Sequence, residues 1–159
     1  MLAWIFKTLN FRRPFCGWSL AFGKFRSILR AQDQQIVNFA TNRILTVSPD
    51  ITVERAIEQF RLESRDLEVV WYLYIIDHEG KLLGLIGLAE LVQASNVAVL
   101  RDIMLDKVVS LNPENTLKET AEMFERYGYR AIPITDQADK LLGVIPYQDV
   151  MKLKHRIVE

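Results

Sequence analysis

Carboxylates are the side chains in this 159-residue chain best able to do chemistry, and their spacing narrows what that chemistry is. Glu54 and Glu58 lie in VERAIEQF, and Glu119 and Glu122 lie in LKETAEMF; on a helix each pair shares one face. Glu90 and Asp149 each end an apolar run that begins at a Leu-Leu-Gly, GLIGLAE in one case and GVIPYQD in the other. Acids so placed either attract cations and basic partners or serve as the solvated face of a helix. Groups suited to catalysis do not assemble. Ser48 and Ser110 have no histidine nearby and no nucleophile elbow. His78 falls in a turn beside Glu79 and Gly80, His155 falls among Lys152, Lys154 and Arg156, and neither has metal-ligand spacing. No Gly-rich phosphate loop of the Walker or dinucleotide type is present. The expectation is a protein that is not an enzyme.

The elements that must position these acids come in two copies. ILTVSPDITVERAIEQF from Ile44 matches VVSLNPENTLKETAEMF from Val108, aligning Pro49 with Pro113, Thr52 with Thr116 and Phe60 with Phe124. Further on, DHEGKLLGLIGLAEL from Asp77 matches DQADKLLGVIPYQDV from Asp136, so that Gly84 falls opposite Gly143. The first offset is 64 residues and the second 59, which gives the first copy five extra residues. Open solenoids need three or more units to bury a continuous core, so two copies point to a closed module with pseudo-twofold symmetry. The clefts between packed halves are natural ligand sites.

Each copy reads as strand, helix, strand, strand, helix. A short β-branched stretch, 44–47 or 108–111, leads through a proline to a threonine suited to cap a helix with apolar residues at helical spacing. VVWYLYIID or AIPITD follows as a strand, then a turn, then KLLGLIGL or KLLGVIPY as the next strand, and a final helix. Trp71, Tyr72 and Tyr74 fall on the first copy's longer strand, where Trp71 reads as core or as the filler of a dimer contact. The fold class is mixed α/β (α+β). The chain divides into a flank at 1–35, a first repeat at 36–100 and a second at 101–159.

A composition of 50% apolar residues suffices for one real core. The formal net charge of zero hides an asymmetry, since residues 1–35 hold six Lys/Arg against one acid and the remainder holds fourteen against nineteen. An acidic body is a poor nucleic-acid binder, which needs clustered cations to neutralise phosphates. One cysteine, Cys16, excludes an internal disulfide and reads as intracellular. The flank has five Phe and two Trp but no apolar run of the roughly 20 residues that span a bilayer. Two readings of it stay open: a basic-aromatic segment lying on an anionic membrane surface, and the flank of a larger protein.

The order of elements, the Thr-capped helix after Ser-Pro-Asp or Asn-Pro-Glu, the strand ending in Ile-Asp or Thr-Asp, and the Leu-Leu-Gly run ending in an acid together resemble a tandem pair of CBS domains. The resemblance covers roughly residues 42–155. Within that family the chain is similar to the cytosolic CBS pair of MgtE-type magnesium channels. The residues behind that likeness are the aromatic WYLYIID segment, the Asp102-Ile103-Met104 junction and the ERYGYRAIPITD stretch.

The resemblance implies two β-α-β-β-α repeats and an adenine nucleotide, ATP, ADP or AMP, in a cleft between them. The family's binding element is Gly-hydrophobic-hydrophobic-Thr/Ser-x-x-Asp, whose hydroxyl and helix start hold phosphate while the Asp accepts from the ribose hydroxyls. This chain departs from it twice, with Gly87 and Glu90 in one copy and Pro146 with Asp149 in the other. The resemblance therefore favours the second copy's cleft, with Asp149 on ribose and Val108, Ile132 and Pro133 as apolar walls for a base. Glu90 reaches the equivalent place imperfectly; both acids have the alternative of capping or solvating a helix.

The same likeness implies a homodimer in which acids on facing surfaces bridge through Mg²⁺, an ion that takes oxygen ligands and keeps several waters. Glu54, Glu58, Glu119 and Glu122 are the candidates. The implied function is a cytoplasmic ligand sensor at the inner face of a membrane, working on a transporter domain. Two other readings are a nucleotide sensor acting on a soluble partner and a structural dimerisation module with inactive clefts.

Overall fold

The computed structural model describes the backbone of residues 35–158 and the side chains of residues 35–153. The readings of the flank before residue 35 and of the His155 side chain lie outside the described residues. A 3-10 turn (Ile36–Phe39) precedes the first copy, which comprises β1 (Ile44–Val47), α1 (Val53–Glu63), β2 (Val69–Ile76), β3 (Leu82–Gly87) and α2 (Leu88–Gln93). A single helical turn, α3 (Leu100–Ile103), leads to the second copy, made of α4 (Leu117–Tyr127), β4 (Ala131–Thr135), β5 (Leu141–Pro146) and α5 (Tyr147–Val158). The first sheet has order β1-β2-β3, parallel then antiparallel, and β4 and β5 form an antiparallel pair. The mixed α+β class is as expected.

Local chemistry sets these elements in duplicate. Thr52 and Thr116 each accept a backbone N–H from the third residue of their helix, and Glu119 returns its carboxylate to the Thr116 N–H at 2.8 Å, completing a capping box. Asp77 Oδ1 accepts the N–H groups of Glu79 and Lys81, and Asp136 Oδ1 accepts those of Ala138 and Lys140, so one Asx-type turn joins both hairpins. These N–H donors, that of Lys81 foremost, hold the Asp77 carboxyl below its usual range. Each turn needs a left-handed residue, Gly80 at φ 84° and Asp139 at φ 60°, and aspartate is among the few non-glycine types that tolerate it.

One element departs from expectation. The strand read at 108–111 shrinks to a single parallel bridge between Leu111 and Ile134. Leu111 donates to the Pro133 carbonyl and Thr135 donates to the Leu111 carbonyl. Continuing that ladder upstream would require an N–H from residue 133, and proline has none. Tyr74 holds the equivalent place in β2, and there β1 pairs through Leu45, Thr46 and Val47.

The halves meet about a pseudo-twofold axis that the backbone pairing locates. Lys81 bridges Lys140, its own equivalent; Leu85 bridges Leu105 as Val144 bridges Thr41; and Thr52 bridges Val99 as Thr116 bridges Gln35. Each partner set follows from the other by the two offsets found in the sequence. The segments that lead into each copy's first helix pack on the opposite half: Ile36, at the start of the first repeat, is fully buried in the core of the second, and its equivalent Leu100, at the junction of the repeats, is fully buried in the core of the first.

A third cluster, with Val69, Tyr74, Ala131 and Val144 at its centre, lies between the two sheets. Tyr74 is fully buried there and its hydroxyl has no hydrogen-bond partner among the described residues. Burial, with a smaller push from Tyr72, raises the phenol far above its ordinary value. A buried hydroxyl without a partner carries a desolvation penalty, so Tyr74→Phe is expected to stabilise the fold by about 1 kcal/mol. Because the folded-state pKa is raised, stability is lost as pH climbs past the unfolded value near 10, by up to about 1.4 kcal/mol per pH unit. Denaturant midpoints at neutral and alkaline pH check this, and an unchanged alkaline slope in Tyr74→Phe would contradict it.

Candidate functional site

Where the axis emerges on one face, two adjoining cavities share a wall made of Trp71 and Arg130. These residues are themselves equivalents under the 59-residue offset, each standing one place before Tyr72 or Ala131. The Arg130 guanidinium carbon sits 4.4 Å from the centre of the Trp71 ring, a cation–π contact laid across the axis. Trp71 is 45% exposed, so it is not a core residue.

The first cavity, of about 560 Å³, lies against the start of α5 and is walled by Phe124, Tyr129 and Tyr147, with Glu68 and Glu125 also lining it. Phe124 and Tyr147 meet edge to face at 5.5 Å. The second, of about 580 Å³, lies against the start of α2 and is lined by Tyr72, Gly87, Glu90 and Val92. Volumes of this order match small-molecule pockets. A further cavity of about 490 Å³ opens at the ends of β1 and β2 between Ser48, Asp50, His78 and Arg101, where Arg101 pairs with Asp50.

The expected site residues distribute unevenly over this groove. Glu90 lines the second cavity, and its carboxylate folds back to fill the space a Cβ on Gly87 would take. Asp149 stands on the first turn of α5, one residue past Gln148 of the first cavity, and its carboxylate accepts from Lys152 Nζ at 3.0 Å. Ile132 is fully buried in the second copy's core, and Pro133 is buried beside it in β4, so neither presents a wall to either groove cavity. Val108 is half-buried in the segment before Leu111.

The acid pairs also separate. Glu54 and Glu58 are exposed on α1. Glu119 is drawn into the capping box, whose Thr116 N–H holds its carboxyl below the ordinary range, and Glu122 lies 4.0 Å from Lys118. Among the described residues no three His, Cys, Asp or Glu side chains gather closely enough to hold a metal ion. His78 is an exposed turn residue, 3.9 Å from Glu79.

Arg130, Phe124, Tyr129 and Tyr147 were not among the expected site residues. The signal for Arg130 lay in the alignment of the copies: tryptophan opposite arginine just before paired strands is a difference, and attention to repeated motifs passes over differences.

A duplicated β-α-β-β-α unit closed about an axis, with paired clefts at the starts of the second helices, defines a CBS pair, and the chain belongs to that family. The CBS domain model matches residues 36–96 and 100–156. The chain is similar to the magnesium transporter MgtE of Enterococcus faecalis, 25% identical over 129 residues, or 81% of this chain and 28% of that protein. It is similar to the MgtE of Thermus thermophilus at 26% over 125 residues, 79% of this chain and again 28% of the other. The crystal structure of the cytosolic domain of the Mg²⁺ channel MgtE in complex with ATP shares the fold, with a TM-score of 0.74, 24% identity, and coverage of 85% of this chain and 54% of that one. The chain thus spans little more than a quarter of the length of these transporters. No helix among the described residues is long and apolar enough to cross a membrane.

Proposed function

We propose that the chain is a regulatory CBS pair that senses adenine nucleotide, Mg²⁺ or both, and passes occupancy to a transporter domain by changing how two copies pack. The observation that carries this reading is the groove at the pseudo-twofold axis, with aromatic walls, a cation and the start of α5 converging on a cavity of nucleotide size. Likeness to a cytosolic domain crystallised with ATP supports the ligand class, and likeness to MgtE transporters supports a cytoplasmic setting at the inner face of a membrane. A ligand shifts such packing only as far as its affinities for the two arrangements differ.

In this proposal Asp149 exchanges Lys152 for the ribose hydroxyls, and Glu90 contributes less because it is turned back on Gly87. The Mg²⁺ arm places Glu54, Glu58 and Glu122 at a surface between copies of a homodimer, where carboxylates of two chains complete an oxygen shell. Calorimetry of the full chain, titrated separately with ATP and with Mg²⁺, tests the proposal; silence to both overturns it. Saturable nucleotide binding without any response to Mg²⁺ would move the chain to the class of nucleotide sensors for soluble partners. Asp149→Ala is expected to weaken nucleotide binding by about tenfold and Glu90→Ala by less. Equal losses would show that the clefts have been ranked wrongly.

A further inference from the structure

We propose that the cavity at the carboxyl ends of β1 and β2 is a second binding site, separate from the groove, and that it takes a free α-amino acid with an apolar side chain. Ser48, Asp50, Asp77, His78 and Arg101 bring polar groups to it, and Ile76 and Leu83 form its apolar part. β1 and β2 run parallel and both end there, and the carboxyl ends of parallel strands are where open α/β sheets bind ligands. Its volume of about 490 Å³ is within the range of small-molecule pockets. The charged groups do not belong to the repeat. By the 64- and 59-residue offsets, Val37 stands in the second copy where Arg101 stands in the first, and Gln137 where His78 does. Thr135 there replaces Ile76 and donates to the Ser110 hydroxyl at 3.0 Å. The same fold is therefore built once without this cation and imidazole.

Charge pairing selects the ligand. Arg101 is the sole lysine or arginine among the residues lining the cavity, and it pairs with Asp50 while the two side chains stay 59% and 68% exposed. An ion pair so exposed is worth little and is readily exchanged. It is not what holds the junction, because the Arg101 N–H donates to the Pro49 carbonyl and the Leu100 N–H to the Ile51 carbonyl, both at 3.0 Å. A bare anion would take the guanidinium and leave Asp50 unpaired beside Asp77, whose carboxylate is fixed in its turn by the Glu79 and Lys81 N–H groups. A bare cation would take Asp50 and strand Arg101. A ligand carrying both signs replaces the single pair with two charge-assisted ones, its carboxylate on the guanidinium fork and its ammonium on Asp50. Ile76 and Leu83, both half-buried, then meet its side chain.

The test titrates the full chain with L-leucine and follows backbone amide shifts. Saturable changes are expected at Ser48, Asp50, Asp77, His78 and Arg101, with Trp71, Arg130 and Tyr147 of the groove unmoved. Isoamylamine, which lacks the carboxylate, and isocaproate, which lacks the ammonium, should each bind about tenfold or more weakly than L-leucine. Glycine, which lacks the side chain, should bind more weakly by a similar factor. Arg101→Gln and Asp50→Asn should each cost L-leucine about tenfold in affinity, and Arg101→Lys, which keeps the charge without the planar fork, should recover part of the loss. Both positions are exposed, so shifts elsewhere in the variants should match the parent and separate loss of the site from loss of the fold. No saturable change at these residues with L-leucine, equal affinity for L-leucine and either half-molecule, or binding indifferent to both Arg101→Gln and Asp50→Asn would overturn the inference, whatever the groove binds.

Discussion

Replacing Leu100 by alanine is expected to lower the unfolding free energy by about 2–5 kcal/mol, a large part of what a domain of this size possesses. Leu100 precedes the second copy yet is fully buried among Leu45, Val53, Leu73 and Ile86 of the first. Its backbone N–H also donates to the Ile51 carbonyl, fixing it in that foreign core. Ile36 does the same in reverse, buried against Leu111, Phe124 and Ile132 with its N–H on the Asn115 carbonyl. Truncating either side chain opens a cavity in one copy while loosening the segment that leads into the other. The expected result is a single cooperative transition in which both halves melt together at a lower denaturant concentration. Urea unfolding followed by far-ultraviolet dichroism and, in a chain carrying Trp4→Phe and Trp18→Phe, by Trp71 fluorescence checks it. Two separated transitions, or a loss below about 1 kcal/mol, would show that the exchanged segments do not couple the copies.

The second large effect concerns Gly84. A Cβ there would stand 2.8 Å from the Leu105 carbonyl oxygen and 2.7 Å from Met104 Sδ, because the chain entering the second copy pairs with β3 at this point. The sulfur belongs to a flexible side chain and can move away. The carbonyl is bound to Leu85 in a reciprocal backbone pair and cannot do so without breaking it. Gly84→Ala is therefore expected to destabilise by about 1–3 kcal/mol, and Gly84→Val by more. At Gly143, the equivalent place, a Cβ would meet Ala40 and Asn42 side chains at 3.0 Å and the Thr41 carbonyl at 3.3 Å, so Gly143→Ala should be the milder change. Thermal unfolding of both variants ranks them, and a milder effect at Gly84 would contradict the account of the junction.

The doubled Leu-Leu-Gly makes physical sense in this light: each glycine admits the segment that crosses from the other half. Much of the architecture was legible for such reasons. Thr52 and Thr116 announce helix starts because a hydroxyl before a periodic apolar stretch has one common use. Asp77 and Asp136 mark turns because the side chain imitates a backbone acceptor. What could not be read locally depends on neighbours distant in the sequence. The failure of the strand at 108–111 is caused by Pro133, more than twenty residues away in the sequence. The exchange of Ile36 and Leu100 between cores leaves no trace in either copy's own pattern. The groove was harder still, since Arg130 and Trp71 matter through their position on an axis, and no motif connects them. The family resemblance, by contrast, led to Ile132 and Pro133, which lie buried in β4.

The central claim is that the halves meet about an axis and that the groove beside it is the working part. Amide chemical shifts of the full chain, recorded during titration with AMP, test it most directly. The account predicts that the largest changes fall at Trp71, Arg130 and Tyr147, Gln148 and Asp149. Changes confined to the cavity of Ser48, Asp50 and Arg101, or absent altogether at saturating AMP, would contradict it.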